Sequence, residues 1–372
     1  LVGDVLTAQY VLANDGRRFS VREYWHRLSE SIGEHYLGLD PVVGNLSAST
    51  HDPRDVRFEQ RVDQLSYLAR SRPANEFIDR RISAADAYRD ALAFTRELIR
   101  QQPTPRIETM RLAKLVIARL SNEWIGLPPS ACSDDDTLIH FIEQFVVVSR
   151  CTFQPYPGEL LSAQSRLSGA LLQEAYGRRP RLPRMAAELG ALSEREADVA
   201  AIGAIVGFAP PAIGCIVSVL SQWLSSGELA SWRFLLQDAS DDVRRQQLLK
   251  PVMEALVRGP VPPILYRTCV EPFAGGAAGD FVVVGLSSVV ADARARGVAE
   301  PWPWLFGGPH GGFIDRDQPV HGCPGRSAAF EALVGVIAGV LDCHAIRADG
   351  PYAFGFQPET DPPKRPRFSD KR

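Results

Sequence analysis

The chain has 372 residues, 45 % of them hydrophobic and 23 % charged, with a formal net charge of −3. That is the composition of a soluble globular protein large enough for a sizeable core, and so balanced a charge gives no reason to expect a nucleic-acid partner. Its six cysteines, Cys132, Cys151, Cys215, Cys269, Cys323 and Cys343, form no Cys-x-x-Cys pair, which argues against a zinc site or a disulfide framework and, with no secretory signal in view, suits a reducing cytoplasm.

In chain order, Gly3-Asp4-Val5-Leu6-Thr7-Ala8 reads as a short strand-like piece, followed by a helical piece near Tyr10–Asn14 and then Phe19-Ser20-Val21. Asn45-Leu46-Ser47 has the form of a glycosylation acceptor, which has no meaning without a secretory signal. Residues 53–125 read as helices with a polar face, broken near Pro73 and at Pro103-Thr104-Pro105. From Met110 to Trp124 the apolar positions Leu112, Leu115, Val116, Ala118 and Leu120 suit an amphipathic helix, which Gly126-Leu127-Pro128-Pro129 stops. Asp134-Asp135-Asp136 predicts the start of another helix, running through Val148. Gln154 to Gly158 is a loop, Glu159 to Tyr176 is helical, and Arg178 to Arg184 is a solvated basic connector.

Ser193 to Leu224 is the longest landmark. Between Val199 and Gly227 there is no charged residue. A stretch of that length raises the reading of a membrane span. Pro210-Pro211 interrupts it, however, and no other segment is comparable, so no membrane span is expected. A helix apolar all round also suits the centre of a large helical protein. Further on, Glu254-x-x-x-Arg258 places two opposite charges on one helix face, where an ion pair is feasible. Phe281 to Leu286 is a strand. Gly307-Gly308-Pro309-His310-Gly311-Gly312 lacks the Gly-Lys-Ser/Thr of a phosphate loop and is rejected as one. The Pro-rich basic stretch 358–372 is expected to be a disordered tail behind a single domain of residues 1–357.

The stretch with the most chemistry is Pro319-Val320-His321-Gly322-Cys323-Pro324-Gly325-Arg326, with the apolar run Ala328 to Leu341 behind it. Pro324 fits the first turn of a helix. The positive end of that helix favours thiolate over thiol at Cys323. Gly325 leaves room for a flat ligand close to the backbone, and His321 can hydrogen-bond an anionic group on it. Taken alone, the loop is equally well read as a buried structural cysteine at a helix start.

His321, Cys323, Gly325 and Ala329 stand at the spacing of the haem-ligand loop of the cytochrome P-450 family, which this stretch resembles. The family's Phe and first Gly are displaced: Arg316 and Pro319 occupy their places, and Phe306-Gly307-Gly308 lies further upstream. The segment around Phe19 is similar to the early part of bacterial members, with a start that looks shortened. The resemblance implies a mainly α, P-450-like helical fold with a small β region. It implies haem b (iron protoporphyrin IX) between the Gly203–Gly214 region and the Cys323 loop, with Cys323 as metal ligand. His321, Gly325, Arg267 and Phe306 would be further cofactor contacts, and Arg267 matches the family's propionate arginine.

The resemblance places Gly207, Phe208, Ala209 and Pro210 in the distal pocket. There the family carries an acid and an alcohol that order water and deliver protons during dioxygen activation. Ala209 and Pro210 hold those positions here, and neither can donate a proton. Pro210-Pro211 should also kink or unwind the helix. The implied activity is a haem-thiolate oxidoreductase acting on a hydrophobic small molecule. Its oxidant is either peroxide or dioxygen with a ferredoxin-type redox partner. A monooxygenase with a water or substrate proton relay and a non-catalytic haem-binding protein of the same fold are the alternatives.

Overall fold

The computed structural model describes residues 1–12, 18–20, 22–32, 83–102, 104–178, 194–298, 302–306 and 325–357. The Asn45 sequon, most of the 178–184 connector, the glycine-rich 307–312 stretch, His321, Cys323, Pro324 and the 358–372 tail lie outside them.

The chain opens with helix α1 (Val5–Leu12), not a strand-like piece. The Asp4 carboxylate accepts from the Thr7 N–H at 2.9 Å, which caps the first turn, and only Val2 makes a β-bridge, to Val284. Strand β1 (Phe19–Ser20) and helix α2 (Arg22–Ile32) follow. Helix α3 (Ala84–Arg100) starts at Ser83, whose hydroxyl accepts from the Asp86 N–H. Its buried face, Ala87, Tyr88, Ala91, Leu92, Thr95 and Leu98, has helical periodicity. Strand β2 (Arg106–Glu108) leads into helix α4 (Thr109–Trp124), at the bounds the apolar spacing predicts.

Helix α5 (Asp135–Phe153) is capped by Asp134, as the acidic triplet predicts, but runs five residues beyond Val148. Helix α6 (Glu159–Gly177) is followed by the long helix α7 (Glu194–Ser226). Then come α8 (Glu228–Leu236) and α9 (Asp241–Arg258). Strands β3 (Ile264–Cys269) and β4 (Phe281–Gly285) pair antiparallel, and β1 joins them through Phe19 opposite Cys269. Helix α10 (Leu286–Ala295) takes over at Leu286, the residue expected to end the strand. Helix α11 (Arg326–Val340) precedes β5 (His344–Ala348) and β6 (Ala353–Gln357), which form a second antiparallel sheet in the order β2-β6-β5. The result is mainly helical with small sheets, as expected.

Helix α7 does not unwind at Pro210-Pro211; it is helical from Glu194 to Ser226. Each proline removes one N–H, but Ala209, Ala212 and Ile213 are buried on either side, and tertiary packing outweighs the lost bonds. The helix is apolar and long enough to cross a membrane. Yet 56 % of its apolar window is buried inside the protein, against α4, α5, α9 and α11, which accounts for its composition without a bilayer.

Helix α11 is buried on every side from Glu331 to Val340. It meets α3 at two glycines. A Cβ on Gly335 would stand 2.4 Å from the Tyr88 carbonyl oxygen, and one on Gly339 would stand 2.7 Å from the Thr95 side chain. The backbones approach too closely there for any side chain. Elsewhere, Arg27 of α2 ties three elements together. It donates to the Pro155 carbonyl at 2.8 Å and to the Tyr266 hydroxyl at 3.0 Å, and it lies over the rings of Tyr266 and Phe281. Tyr266 in turn donates to the Thr152 carbonyl. Strand β3, with Arg267 next along, is thereby fixed to the corner between α5 and α6.

Candidate cofactor site

Most of α7 is buried, but one face is not. Ile205, Val206 and Ala209 are fully enclosed, while Gly207 is exposed and Ala204, Phe208 and Pro211 are half-buried. These open positions recur every three or four residues and so share one helix face. Among the described residues, nothing lies within 4 Å of a Cβ built on Gly207. Pro210 and Pro211 have no N–H, so the carbonyls of Val206 and Gly207 lack their usual donors on this stretch. The Phe208 ring packs on Trp124 of α4 at 5.3 Å, and the Trp124 N–H reaches the Asp90 carboxylate.

Two turns further along, the turn between α9 and β3 closes the helix over. A Cβ on Gly214 would strike Val261 at 2.6 Å. The Cys215 thiol lies 3.7 Å from the Val261 carbonyl, and the Ser218 hydroxyl donates to the Gly259 carbonyl at 2.9 Å. The open face is therefore apolar, smooth and bounded at one end.

Arg267 sits on β3 opposite Val282, 3 % exposed, and donates from Nη1 to the Tyr266 carbonyl. Phe306 is the half-buried last residue of a 3₁₀ turn (Trp302–Phe306) packed beside the core. Gly325 caps α11, and the first helical residue is Arg326. Among the described residues, nothing lies within 4 Å of a Cβ built on Gly325, and Arg326, Ala329 and Phe330 are half-buried and Ser327 exposed, whereas Glu331 to Val340 are enclosed. Among the described residues, both the α7 face and the start of α11 thus keep open space at a glycine, which suits a flat apolar group.

The positions that the resemblance assigned to the distal pocket divide. Gly207 and Phe208 belong to the open face, Pro210 is half-buried, and Ala209 is fully buried. The Glu254–Arg258 pair does not form. Glu254 instead meets Arg294 of α10 at 2.5 Å, and Arg258 reaches Glu228 and Gln222. Spacing allowed the local pair, but Arg294, which also lies over the Trp302 ring at 4.8 Å, is the partner that α9 faces across the fold.

Burial pushes the Cys343 thiol up to about 12 and raises those of Cys269 and Cys132. Among the described residues no group of three His, Cys, Asp or Glu side chains could hold a metal ion; a single axial thiolate needs no such group. A cleft of about 460 Å³ between α5 and α6, lined by His140, Phe141, Gln144 and Leu171, touches none of these positions.

The sequence did not reveal an ionic network at the start of α9. Arg96 of α3 pairs with Asp241 and Asp342, and Arg244 pairs with Asp342. Arg245 makes two bonds to Glu331 of α11, Nε to Oε2 at 2.8 Å and Nη2 to Oε1 at 2.6 Å, which raises the arginine's pKa.

No family model matches this chain, and no curated protein matches it either. Solved structures do. P450BioI in complex with a hexadec-9Z-enoic-acid-ligated acyl carrier protein is 14 % identical, with a TM-score of 0.63 over 96 % of this chain and 91 % of that one. A mutant of P-450 EryK in complex with erythromycin B is 16 % identical, with a TM-score of 0.61 over 94 % and 84 %. CalO2 is 14 % identical, with a TM-score of 0.60 over 96 % and 91 %. The fold is that of the cytochromes P-450. Within this P-450 fold, the open face of α7 and the start of α11 belong to the two segments that the sequence resemblance assigned to haem.

Proposed function

We propose that this protein is a haem-thiolate oxidoreductase that oxidises a hydrophobic small molecule. The observation that carries the reading is the conjunction of the P-450 fold with His321-x-Cys323-x-Gly325 directly ahead of α11. Bound haem would supply the oxidising chemistry, and a thiolate ligand favours O–O cleavage. Cys323 is the residue that would hold the iron. The α11 N-terminus behind it favours the anionic sulfur. Arg267 and His321 are assigned to the haem carboxylates, for which a guanidinium is well shaped. Gly325 and Gly207 leave the space, and Phe306 adds an apolar contact.

Phe208, Ala204 and Pro211 give the distal side an apolar wall, which suits an apolar substrate. Ala209 and Pro210 carry no proton donor. That favours an oxidant whose O–O bond is already reduced, peroxide or a hydroperoxide, over dioxygen with a ferredoxin-type partner. The deciding measurement of the haem-thiolate reading is the absorption spectrum of reduced protein with carbon monoxide. Wild type and Cys215→Ala should show the red-shifted Soret band of a thiolate-ligated haem, and Cys323→Ala should lose it. A thiolate spectrum surviving in Cys323→Ala would overturn the assignment.

A further inference from the structure

Between Arg326 and Asp342, Glu331 is the only charged residue. It stands where the half-open first turn of α11 gives way to the enclosed body of the helix, with its side chain 9 % exposed. A buried ion pair is a poor way to stabilise a fold, since well-packed apolar residues in its place are often neutral or better. What an apolar contact lacks is direction. The guanidinium fork of Arg245 fixes both carboxylate oxygens of Glu331 at once.

The neighbouring residue repeats the device. Arg244 of the same α9 turn binds Asp342, just past the other end of α11, and also donates to the Leu236 carbonyl at 3.1 Å. Two consecutive arginines therefore hold α11 at points eleven residues apart, on the order of 16 Å along a helix axis. The body between those points is held by other means, the glycine seam with α3 at Gly335 and Gly339. The seam lies beyond Glu331, so among the described residues the Arg245 pair is the directional tie nearest the start of α11. The opposite end of α9 runs through Gly259 to β3 and Arg267. One helix thus links the two segments assigned to the cofactor.

We propose that Arg245 and Glu331 are positioning residues, which set the register at which α11 presents the Cys323 loop to the haem iron. This rests on the haem-thiolate reading above. The test replaces both partners, Arg245→Met with Glu331→Leu, so that no charge is left buried alone, and compares them with the reversed pair Arg245→Glu with Glu331→Arg.

The first readout does not need haem. Amide hydrogen exchange at residues 329–333 should speed up by about tenfold in the apolar pair, while residues 335–340 stay as in wild type. The second is the reduced carbon monoxide spectrum. The apolar pair should lose a large part of the thiolate-type Soret band with a melting temperature close to that of wild type, and the reversed pair should regain it. Unchanged exchange at 329–333 would show that the pair does not hold the helix start. Faster exchange with a full thiolate band would show that the hold is unrelated to ligation. Either result overturns the proposal. A wild type without any thiolate band would instead defeat the haem-thiolate reading, and the exchange data would still decide whether the pair anchors α11. If the apolar pair does not fold, the reversed pair carries the same two readouts, and a reversed pair that lacks the band despite wild-type exchange overturns the proposal.

Discussion

Arg267 and Cys323 show at the scale of single residues what a sequence can and cannot place. Arg267 was assigned from its distance behind α9, and it proves to be an almost fully buried arginine on β3. It already donates to the Tyr266 carbonyl, and a carboxylate-bearing cofactor is the further neighbour that the resemblance implies for it. Charge-assisted hydrogen bonds of this kind contribute about 1.5–3 kcal/mol. Arg267→Ala should accordingly release haem to an acceptor protein ten- to a hundredfold faster, on the order that such an energy implies, and His321→Ala should act in the same direction. Haem transfer at the wild-type rate in both variants would remove them from the site. Cys323 was singled out by the family spacing of His321, Cys323, Gly325 and Ala329, since its neighbours alone suit a buried structural cysteine equally well. Burial raises the thiol pKa values of Cys343 and Cys269. Glu254 and Arg258 were misread as a pair for a residue-scale reason. The rule of four positions identifies neighbours on a helix, but Arg294, from α10, outcompetes the local partner.

Elements were legible where a local signal exists. The Asp134 cap, the α4 periodicity and the uncharged run of α7 each announce a helix with almost the right bounds. The first residues were misread because Val5-Leu6-Thr7 has strand-like composition, whereas the Asp4 side chain closes a helical turn. The α3–α11 seam was invisible, since a glycine in an apolar helix does not say whether it faces a backbone or open space. The structure separates the two cases, and they give opposite expectations. Gly335→Ala would push a methyl group to 2.4 Å from a carbonyl oxygen that cannot rotate away, so the seam must open at a cost of about 1–3 kcal/mol. Gly207→Ala meets none of the described residues, and removing a helix-interior glycine should stabilise the apoprotein by roughly 0.5–1 kcal/mol. The same methyl would stand in the open face of α7 and weaken haem binding. Thermal melts and haem titrations of the two variants check both. Equal melting temperatures, or tighter haem binding by Gly207→Ala, would contradict this division.

The whole molecule was legible because three imperfect landmarks fell in order along the chain: the apolar α7 run, the α9–β3 segment with Arg267, and the Cys-Pro-Gly stretch before α11. Each is ambiguous alone, and their order is what a shared fold preserves when identity has fallen to 14–16 %. The ties that hold those landmarks together, Arg245–Glu331 and Arg96–Asp241, join residues far apart in sequence and leave no local trace. How the oxidant is handled also belongs to this scale, because proton delivery needs a route from solvent to the distal face.

The α7 face proposed as distal presents Ala204, Gly207, Phe208 and Pro211, with no acid or alcohol among them, and the helix stays closed through both prolines. A relay built on an unwound segment is therefore unsupported; the carbonyls of Val206 and Gly207 can accept a hydrogen bond but not supply a proton. Incubation with a panel of hydrophobic substrates should then give product with peroxide in the absence of oxygen. Redox partners with dioxygen should give electron consumption poorly coupled to product. Restoring the acid is not a clean control, because Ala209→Asp would bury a carboxylate in the core beside Ile205 and Ile213. Pro210→Thr is the better one, since position 210 is half-buried and the change returns a hydroxyl and an N–H together. It should raise oxygen-dependent coupling and leave peroxide turnover nearly unchanged. Efficient wild-type turnover with redox partners alone, unaltered in Pro210→Thr, would show that protons arrive by another route and that peroxide is not the oxidant.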